Sequence, residues 1–332
     1  MKSSILNIFY EEPDPDRWLP FDRYPRKFIR ELLRGKPRPG GVMMVALELM
    51  KGLDRIGVQY RFNDYNYIDN HPDEIACIIG KPHLLFKRKW KNTIVFGAGV
   101  FSHPIEHQDL LVKMPNIKKI LVPGNWMKEM FEPFYPGKVI SWPVGIDTSK
   151  WQDLTNKNKE FDFLIYNKIR WNQSAMNNEL VEPIKEYLIQ HNYSFNEIVY
   201  GHYNHADLYE KLKKSKAVIF LCEHETQGIA YQQILATNTP IFAWDRGGYW
   251  EDPAYFPERV KYKPVSSVPY WDKRCGEKFK DYIEFKNKLV TFILNYKNNE
   301  FNSREYIIEN LTLEKSATEY LNIINSINQN PE

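Results

Sequence analysis

Cysteine is scarce in this chain. Its three copies, Cys77, Cys222 and Cys275, lie far apart and are odd in number. None forms a C-x-x-C pair, so neither a disulfide framework nor a structural zinc site is expected. A reducing cytoplasm is the simplest setting. Long apolar runs are missing as well. Nothing approaches the roughly 18 consecutive apolar residues that a membrane-spanning helix needs. The opening stretch, MKSSILNIFYEEPDPD, has too short an apolar run and too many early acids for a signal peptide. Charge of one sign is not in excess either. Lys and Arg number 45 against 42 Asp and Glu, a formal charge of +3, so bulk nucleic-acid binding is not expected. No short-period repeat or low-complexity tract interrupts the sequence.

What is present is the alternation of an α/β protein. With 332 residues the chain is long enough for two domains, each with its own core. Buried-strand runs fall at 5–10, 58–62, 75–80, 93–99, 118–123 and 138–143. Between several of them lie amphipathic helices, clearest over 42–57, which ends at Gly57, and over 125–134, where Asn125 is placed as the N-cap. This rhythm implies a parallel sheet covered on both faces. It stops in a polar tract at 152–160 and restarts with strands at 161–166, 196–201, 217–222 and 240–245 and helices at 181–192, 207–215 and 228–237. A first domain to about residue 147 and a second over 148–332 follow, with a last helical stretch at 303–327.

A long insert, residues 11–39, separates the first strand from the 42–57 helix. It holds a basic amphipathic segment in which Phe28, Ile29, Leu32 and Leu33 share a helix face, with Arg23, Arg26, Lys27, Arg30 and Arg34 around them. Such a face is either a solvated surface helix or, through 23–38, a site for peripheral contact with an anionic membrane or a phosphorylated acceptor. The insert also carries Asp14-Pro-Asp16. An Asp-x-Asp can hold a divalent metal, but Asp-Pro-Asp is ordinary turn chemistry and only one strand precedes it, so no metal site is assigned.

The segment richest in chemistry is AVIFLCEHETQGIAYQQILATNTPIFAWDRGG, residues 217–248. A buried strand ends in a loop, a helix opens at Gly228, and another buried strand follows. Ligands of open α/β sheets bind at the carboxyl ends of strands, and the free N–H groups of a helix start favour phosphate oxygens. Gly228 lets a phosphate approach the backbone closely. Glu225 can accept hydrogen bonds from sugar hydroxyls, and Gln233, eight residues on, can reach a ribose.

On these residues the segment resembles the donor-binding signature of retaining GT-B glycosyltransferases of the large family-four type. That signature is a Glu, a Gly three residues on, a second Glu eight residues after the first, and a proline-started strand. Glu225, Gly228 and Pro240 match it; Gln233 departs from it, standing where the family has Glu. The resemblance implies a GT-B architecture: two Rossmann-like domains whose parallel sheets face each other across a cleft, with the last helix packing back on the first domain. It implies transfer of a sugar from a nucleotide-diphosphate donor, with retention and without a metal or other cofactor. The acceptor, whether carbohydrate, lipid-linked or protein, is not readable.

The resemblance also distributes roles. Glu225 contacts the donor sugar. Thr226, Gln227, Gly228 and Ile229 line the phosphate site, and Gln233 faces the ribose. Lys168 and Arg170, just after the 161–166 strand, suit a diphosphate that gains charge as it leaves; the family has an Arg near Lys168 and a Lys a few residues later, a Lys this chain lacks there, so the second charge is assigned to Arg170. Tyr200 to Tyr203, in the stretch before the signature, flank the base, Tyr203 being the residue assigned to the donor. Gly40 and Gly41 resemble the glycine turn of the family's N-terminal domain. His103, after the 93–99 strand, resembles the histidine that contacts the donor sugar from that domain, with His107 as a neighbouring alternative. As a loop residue, Glu225 is expected to be replaceable by alanine without harm to the fold. Two other functions stay open: a sugar-nucleotide epimerase on the same fold, and a sugar-nucleotide binding protein with a decayed site.

Overall fold

The computed structural model describes residues 5–12, 41–98 and 101–329. Gly40, Asp14, Asp16 and the basic segment 23–38 lie outside the described residues. The chain divides into two compact units. The first comprises Met1–Pro123, Phe131–Val144 and Ser316–Glu332; the second comprises Gly124–Met130 and Gly145–Lys315.

In the first unit the strands are β1 (Leu6–Phe9), β2 (Tyr60–Phe62), β3 (Ala76–Ile78), β4 (Ile94–Gly97), β5 (Ile117–Val122) and β6 (Val139–Ser141). They form one sheet in the order β2-β1-β3-β4-β5-β6, parallel throughout. β1, β3 and β4 are buried along their whole length, as strands covered on both faces must be. Helix α1 (Gly41–Arg55) lays Val45, Ala46, Leu49, Gly52 and Leu53 inward, the i, i+1, i+4, i+7, i+8 stripe of an amphipathic helix. Three short helices follow, α2 (Tyr65–Asn70), α3 (His83–Phe86) and α4 (Leu110–Lys113); the next helix along the chain, α5 (Asn125–Phe131), belongs up to Met130 to the second unit. Asn125 is the first residue of α5 rather than its cap. The carbonyl of Gly124 accepts the first helical bond, from Lys128 N at 2.9 Å.

The second unit contains β7 (Phe161–Asn167), α6 (Gln173–Met176), α7 (Glu182–Gln190), β8 (Phe195–Val199), α8 (His205–Lys214), β9 (Ser215–Leu221), α9 (Ile229–Ala236), β10 (Ile241–Trp244), β11 (Gly276–Phe279), α10 (Tyr282–Lys297) and α11 (Ser303–Asn310). Its sheet runs β11-β10-β9-β7-β8, again all parallel. Alternate side chains go to opposite faces, the two-residue period of a strand. Leu164, Tyr166, Val218 and Phe220 join one core with residues of α8 and α9. Phe163, Ile165, Ala217 and Ile219 join a second core with residues of α7 and α10.

The stretch expected as one helix over 303–327 is two, α11 and α12 (Leu313–Gln329). The break is made by Ile146, whose N–H donates to Leu311 O at 2.7 Å and which bridges Thr312. From Ser316 onward α12 packs within the first unit. Trp142 Nε1 donates to Ser316 O at 3.0 Å, and the Trp142 and Tyr320 rings meet edge to face at 5.0 Å.

The second sheet positions the site. Chain order leaves β7 for its neighbour β8 on one side, then returns to β9 on the other. The order in which strands are added therefore reverses between β7 and β9, while every strand stays parallel. In open α/β sheets the crevice beyond the carboxyl ends of such a strand pair is where ligands bind.

Candidate active site

The segment leaving β7 and the loop leaving β9 are locked together by backbone and side chain. Lys168 N donates to Leu221 O at 2.7 Å. Glu223 Oε1 accepts from both Arg170 N (2.7 Å) and Trp171 N (2.8 Å). Across this junction Lys168 Nζ pairs with Glu225 Oε1 at 2.5 Å, and both side chains are largely buried, 12% and 7% exposed. Lys168 also lies 4.5 Å from the centre of the Tyr200 ring. Burial alone would lower the Lys168 ammonium, but the charge and hydrogen bond of Glu225 outweigh it and hold the pKa above the usual lysine range.

The loop over 223–227 is fixed from several sides. Glu225 N donates to Ser266 O (2.9 Å), and Trp126 Nε1 donates to Glu225 O (2.9 Å). Gln232 Nε2 donates to Gln227 O (2.7 Å). Gly228 then caps α9 in the left-handed region, φ +66°. A Cβ there would come within 2.1 Å of Tyr231 Cε1. Glycine is thus required by backbone conformation and by the Tyr231 ring, apart from any ligand. The expectation that Glu225 has no structural role is corrected: it is a buried partner of a buried cation.

The structure places the remaining sequence candidates as follows. Arg170 is exposed, lies over Trp171 (4.9 Å) and reaches His224 Nε2 at 3.3 Å. Thr226 and Ile229 are half-buried at the loop and helix start. The Tyr203 hydroxyl bonds that of Tyr166. Gln233 is only 2% exposed. Its Oε1 has no hydrogen-bond partner among the described residues, and its amide adjoins His205, whose pKa burial and the charge of Lys150 hold down. In the first unit, His103 Nδ1 accepts from Ile105 N at 3.1 Å, capping the short 3-10 turn Pro104–His107, and its ring meets Phe134 edge to face. Gly41 opens α1, and a Cβ there would meet no neighbour among the described residues. Among the described residues no cluster of three metal-ligating side chains occurs, and no helix is long and apolar enough to cross a membrane.

Sequence reasoning missed three residues here. Glu223 organises the β7 end, as described. His224 is buried beside it, its ring tilted 5.0 Å from Trp171 and edge-on 5.7 Å from Trp126. Burial pushes its pKa down to about 3, helped by the charges of Arg170, Lys168 and Arg246. Arg246, following β10, pairs with Glu251 at 2.7 Å. The signal was present in Cys222-Glu223-His224-Glu225, a run of ionisable side chains leaving the apolar stretch 217–221 of β9. Three cations from two strand ends, Lys168, Arg170 and Arg246, thus surround one neutral imidazole and two carboxylates, a setting suited to binding polar and anionic ligands.

No protein-family model and no curated protein matches the chain by sequence. Solved structures do match it in three dimensions. The apo form of WaaB, a lipopolysaccharide outer core galactosyltransferase, aligns over 97% of this chain and 99% of its own (TM-score 0.55, 11% identity). Sucrose-phosphate synthase (tll1590) from Thermosynechococcus elongatus aligns over 87% and 94% (TM-score 0.54, 10% identity). AviGT4, a glycosyltransferase involved in avilamycin A biosynthesis, aligns over 87% and 90% (TM-score 0.52, 9% identity). With two all-parallel α/β units, this chain has the GT-B, Rossmann-like fold.

Proposed function

We propose that this protein is a glycosyltransferase that takes a sugar from a nucleotide-diphosphate donor held by its second unit. The observation that carries this is the Lys168–Glu225 pair, set beyond the switch point of the second sheet and just before the start of α9. A cation suited to phosphate and a carboxylate suited to sugar hydroxyls stand 2.5 Å apart. A diphosphate sugar presents those two chemistries next to each other. The GT-B fold, and the glycosyltransferase names of the structures it resembles, support the same choice.

In the reaction the bond from the anomeric carbon to the β-phosphate oxygen breaks, and its electron pair stays on the diphosphate. A new bond forms to an acceptor hydroxyl, whose proton is released. Lys168, Arg170 and the amides at Thr226–Ile229 stabilise the departing charge electrostatically, and Glu225 orients the sugar. Gln233, with His205 beside it, serves the ribose, and Tyr203 serves the base. The family resemblance also gives His103, Gly40 and Gly41 roles towards the donor. Retention and independence from metal are carried by the family resemblance, which leaves the acceptor, carbohydrate, lipid-linked or protein, open.

A thermal-shift screen of nucleoside diphosphates and their glucose conjugates tests this. Ligand at 100 times its Kd stabilises the native state by about 2.7 kcal/mol. We expect at least one diphosphate to raise the melting temperature, more than its nucleoside does. If none does, the donor assignment fails.

A further inference from the structure

Three polar atoms at the ends of β9 and β10 are buried without a hydrogen-bond partner among the described residues: Glu223 Oε2, His224 Nδ1 and Arg246 Nε. Leaving such groups unsatisfied costs free energy, so their chemistry indicates what would satisfy them. The state of each follows from its other contacts. Glu223 Oε1 is occupied by the two backbone N–H groups of Arg170 and Trp171, which leaves Oε2 as an acceptor. His224 Nε2 faces a guanidinium N–H of Arg170. A guanidinium has no acceptor, so Nε2 must accept and the imidazole proton sits on Nδ1. His224 Nδ1 and Arg246 Nε are therefore donors. Both Glu223 and His224 are 4% exposed.

One acceptor and two donors together do not match a phosphate oxygen, which only accepts. They match hydroxyl groups, each of which donates once and accepts twice. Resting on the glycosyl-transfer reading, we propose that Glu223, His224 and Arg246 form a hydroxyl-binding subsite for the transferred sugar, separate from the diphosphate contacts of Lys168 and Arg170. A sugar hydroxyl donates to Glu223 Oε2, while sugar oxygens accept from His224 Nδ1 and Arg246 Nε. The subsite makes Glu223 and His224 determinants of which sugar is taken. The nucleotide alone gains nothing from it.

Glu223→Gln tests this with little disturbance. The amide oxygen still accepts from Arg170 N and Trp171 N, while the other position becomes a donor that cannot receive a hydroxyl proton. Calorimetry with the full chain would use UDP, GDP and ADP and their glucose conjugates. We expect Glu223→Gln to leave the best-bound diphosphate within about twofold of wild type and to weaken its glucose conjugate about tenfold, the loss of one charge-assisted bond. A second pair of variants reports on His224. Asn places an amide near the Nδ1 position and Gln near Nε2, so His224→Asn should retain more of the preference for the conjugate than His224→Gln. Equal weakening of diphosphate and conjugate, or no weakening of either, would overturn the subsite while leaving the donor assignment standing. If none of the six ligands binds wild type, the donor assignment falls and the subsite with it. Circular dichroism and unfolding midpoints confirm that Glu223→Gln is folded; if it is not, the His224 pair decides the question alone.

Discussion

Removing Glu225 should damage the fold as well as the chemistry. In Glu225→Ala the buried ammonium of Lys168 loses the carboxylate 2.5 Å away. Breaking a buried pair from one side typically costs about 3–5 kcal/mol, because a charge is left without compensation. Lys168 keeps the face of Tyr200, and such a contact is worth roughly 0.5–2 kcal/mol. The net loss should be about 2–4 kcal/mol. Lys168→Met exposes the opposite problem, a buried carboxylate without its cation, and should cost a similar amount. The double variant Glu225→Gln with Lys168→Met carries neither charge, so it should recover a coupling of about 1–3 kcal/mol relative to the sum of the corresponding single changes. Urea unfolding of wild type, each single variant and the double variant measures this. The raised lysine pKa fixes the pH window. A group whose folded pKa lies above its unfolded value stabilises fully below the unfolded value, about 10.4 for lysine, and the effect fades as pH rises through the folded value. The coupling should therefore be the same at pH 6 and pH 8. Additive changes below about 1 kcal/mol would show that the pair is solvent-screened, and that Glu225 is free to serve a ligand at no structural cost.

Three further outcomes can be checked. His224 has a folded pKa near 3 against about 6.5 unfolded, so its neutral burial stabilises above pH 6.5 and that stability is lost as pH falls towards 3. His224→Phe should make the fall in stability between pH 6 and pH 4 shallower by about 1.4 kcal/mol per pH unit; an unchanged slope in urea titrations would refute the buried neutral state. Gly228→Ala forces a side chain into the left-handed region and against Tyr231, and should lower stability by about 2–4 kcal/mol, whereas Gly41→Ala, whose added Cβ meets no described residue, should not; equal effects on unfolding midpoints would contradict the geometry. His103→Asn keeps an oxygen to accept from Ile105 N, so the first unit should stay folded while donor turnover drops at least about tenfold if the ring also serves the sugar; wild-type turnover would confine His103 to its capping role.

Much of the second unit was readable from sequence for one reason. β10 and the central stretches of β7 and β9 are buried on both faces, so FLIY, AVIFL and IFAW appear as unbroken apolar runs. β11 did not appear, because GEKF is an edge strand with only its end residues, Gly276 and Phe279, buried. What marks it is a glycine: Gly276 has φ +133°, and a Cβ would strike Ile241 O at 1.9 Å. The break between α11 and α12 was invisible because no Gly or Pro makes it. A contact from Ile146, over 160 residues earlier, does so. The site divides along the same line. Glu225, Gly228 and Gln233 are legible as a local spacing. The pairing of Lys168 with Glu225, and of Arg170 and Trp171 with Glu223, depends on β7 lying beside β9, which only the sheet order supplies. Glu223 and His224 carry no spacing signal; their burial and hydrogen bonds give them meaning.

Those same contacts bear on how a donor would be met. Glu223 and Glu225 are two residues apart, and each spends an oxygen on the segment that follows β7: Glu223 on two backbone amides, Glu225 on an ammonium. Neither is exhausted. A carboxylate has a second oxygen, and an ammonium has three donors, of which Lys168 uses one on Glu225. A diphosphate can therefore take up Lys168 without dissolving the ion pair, and a sugar can take up the carboxylates without releasing the strand ends. Ligand binding would then add bonds to carboxylates and cations whose other atoms are already held in place. Preorganised donors contribute most to catalysis when nothing must turn to meet the developing charge. The fixed loop after β9 is thus as much a part of the proposed chemistry as the charged atoms it carries.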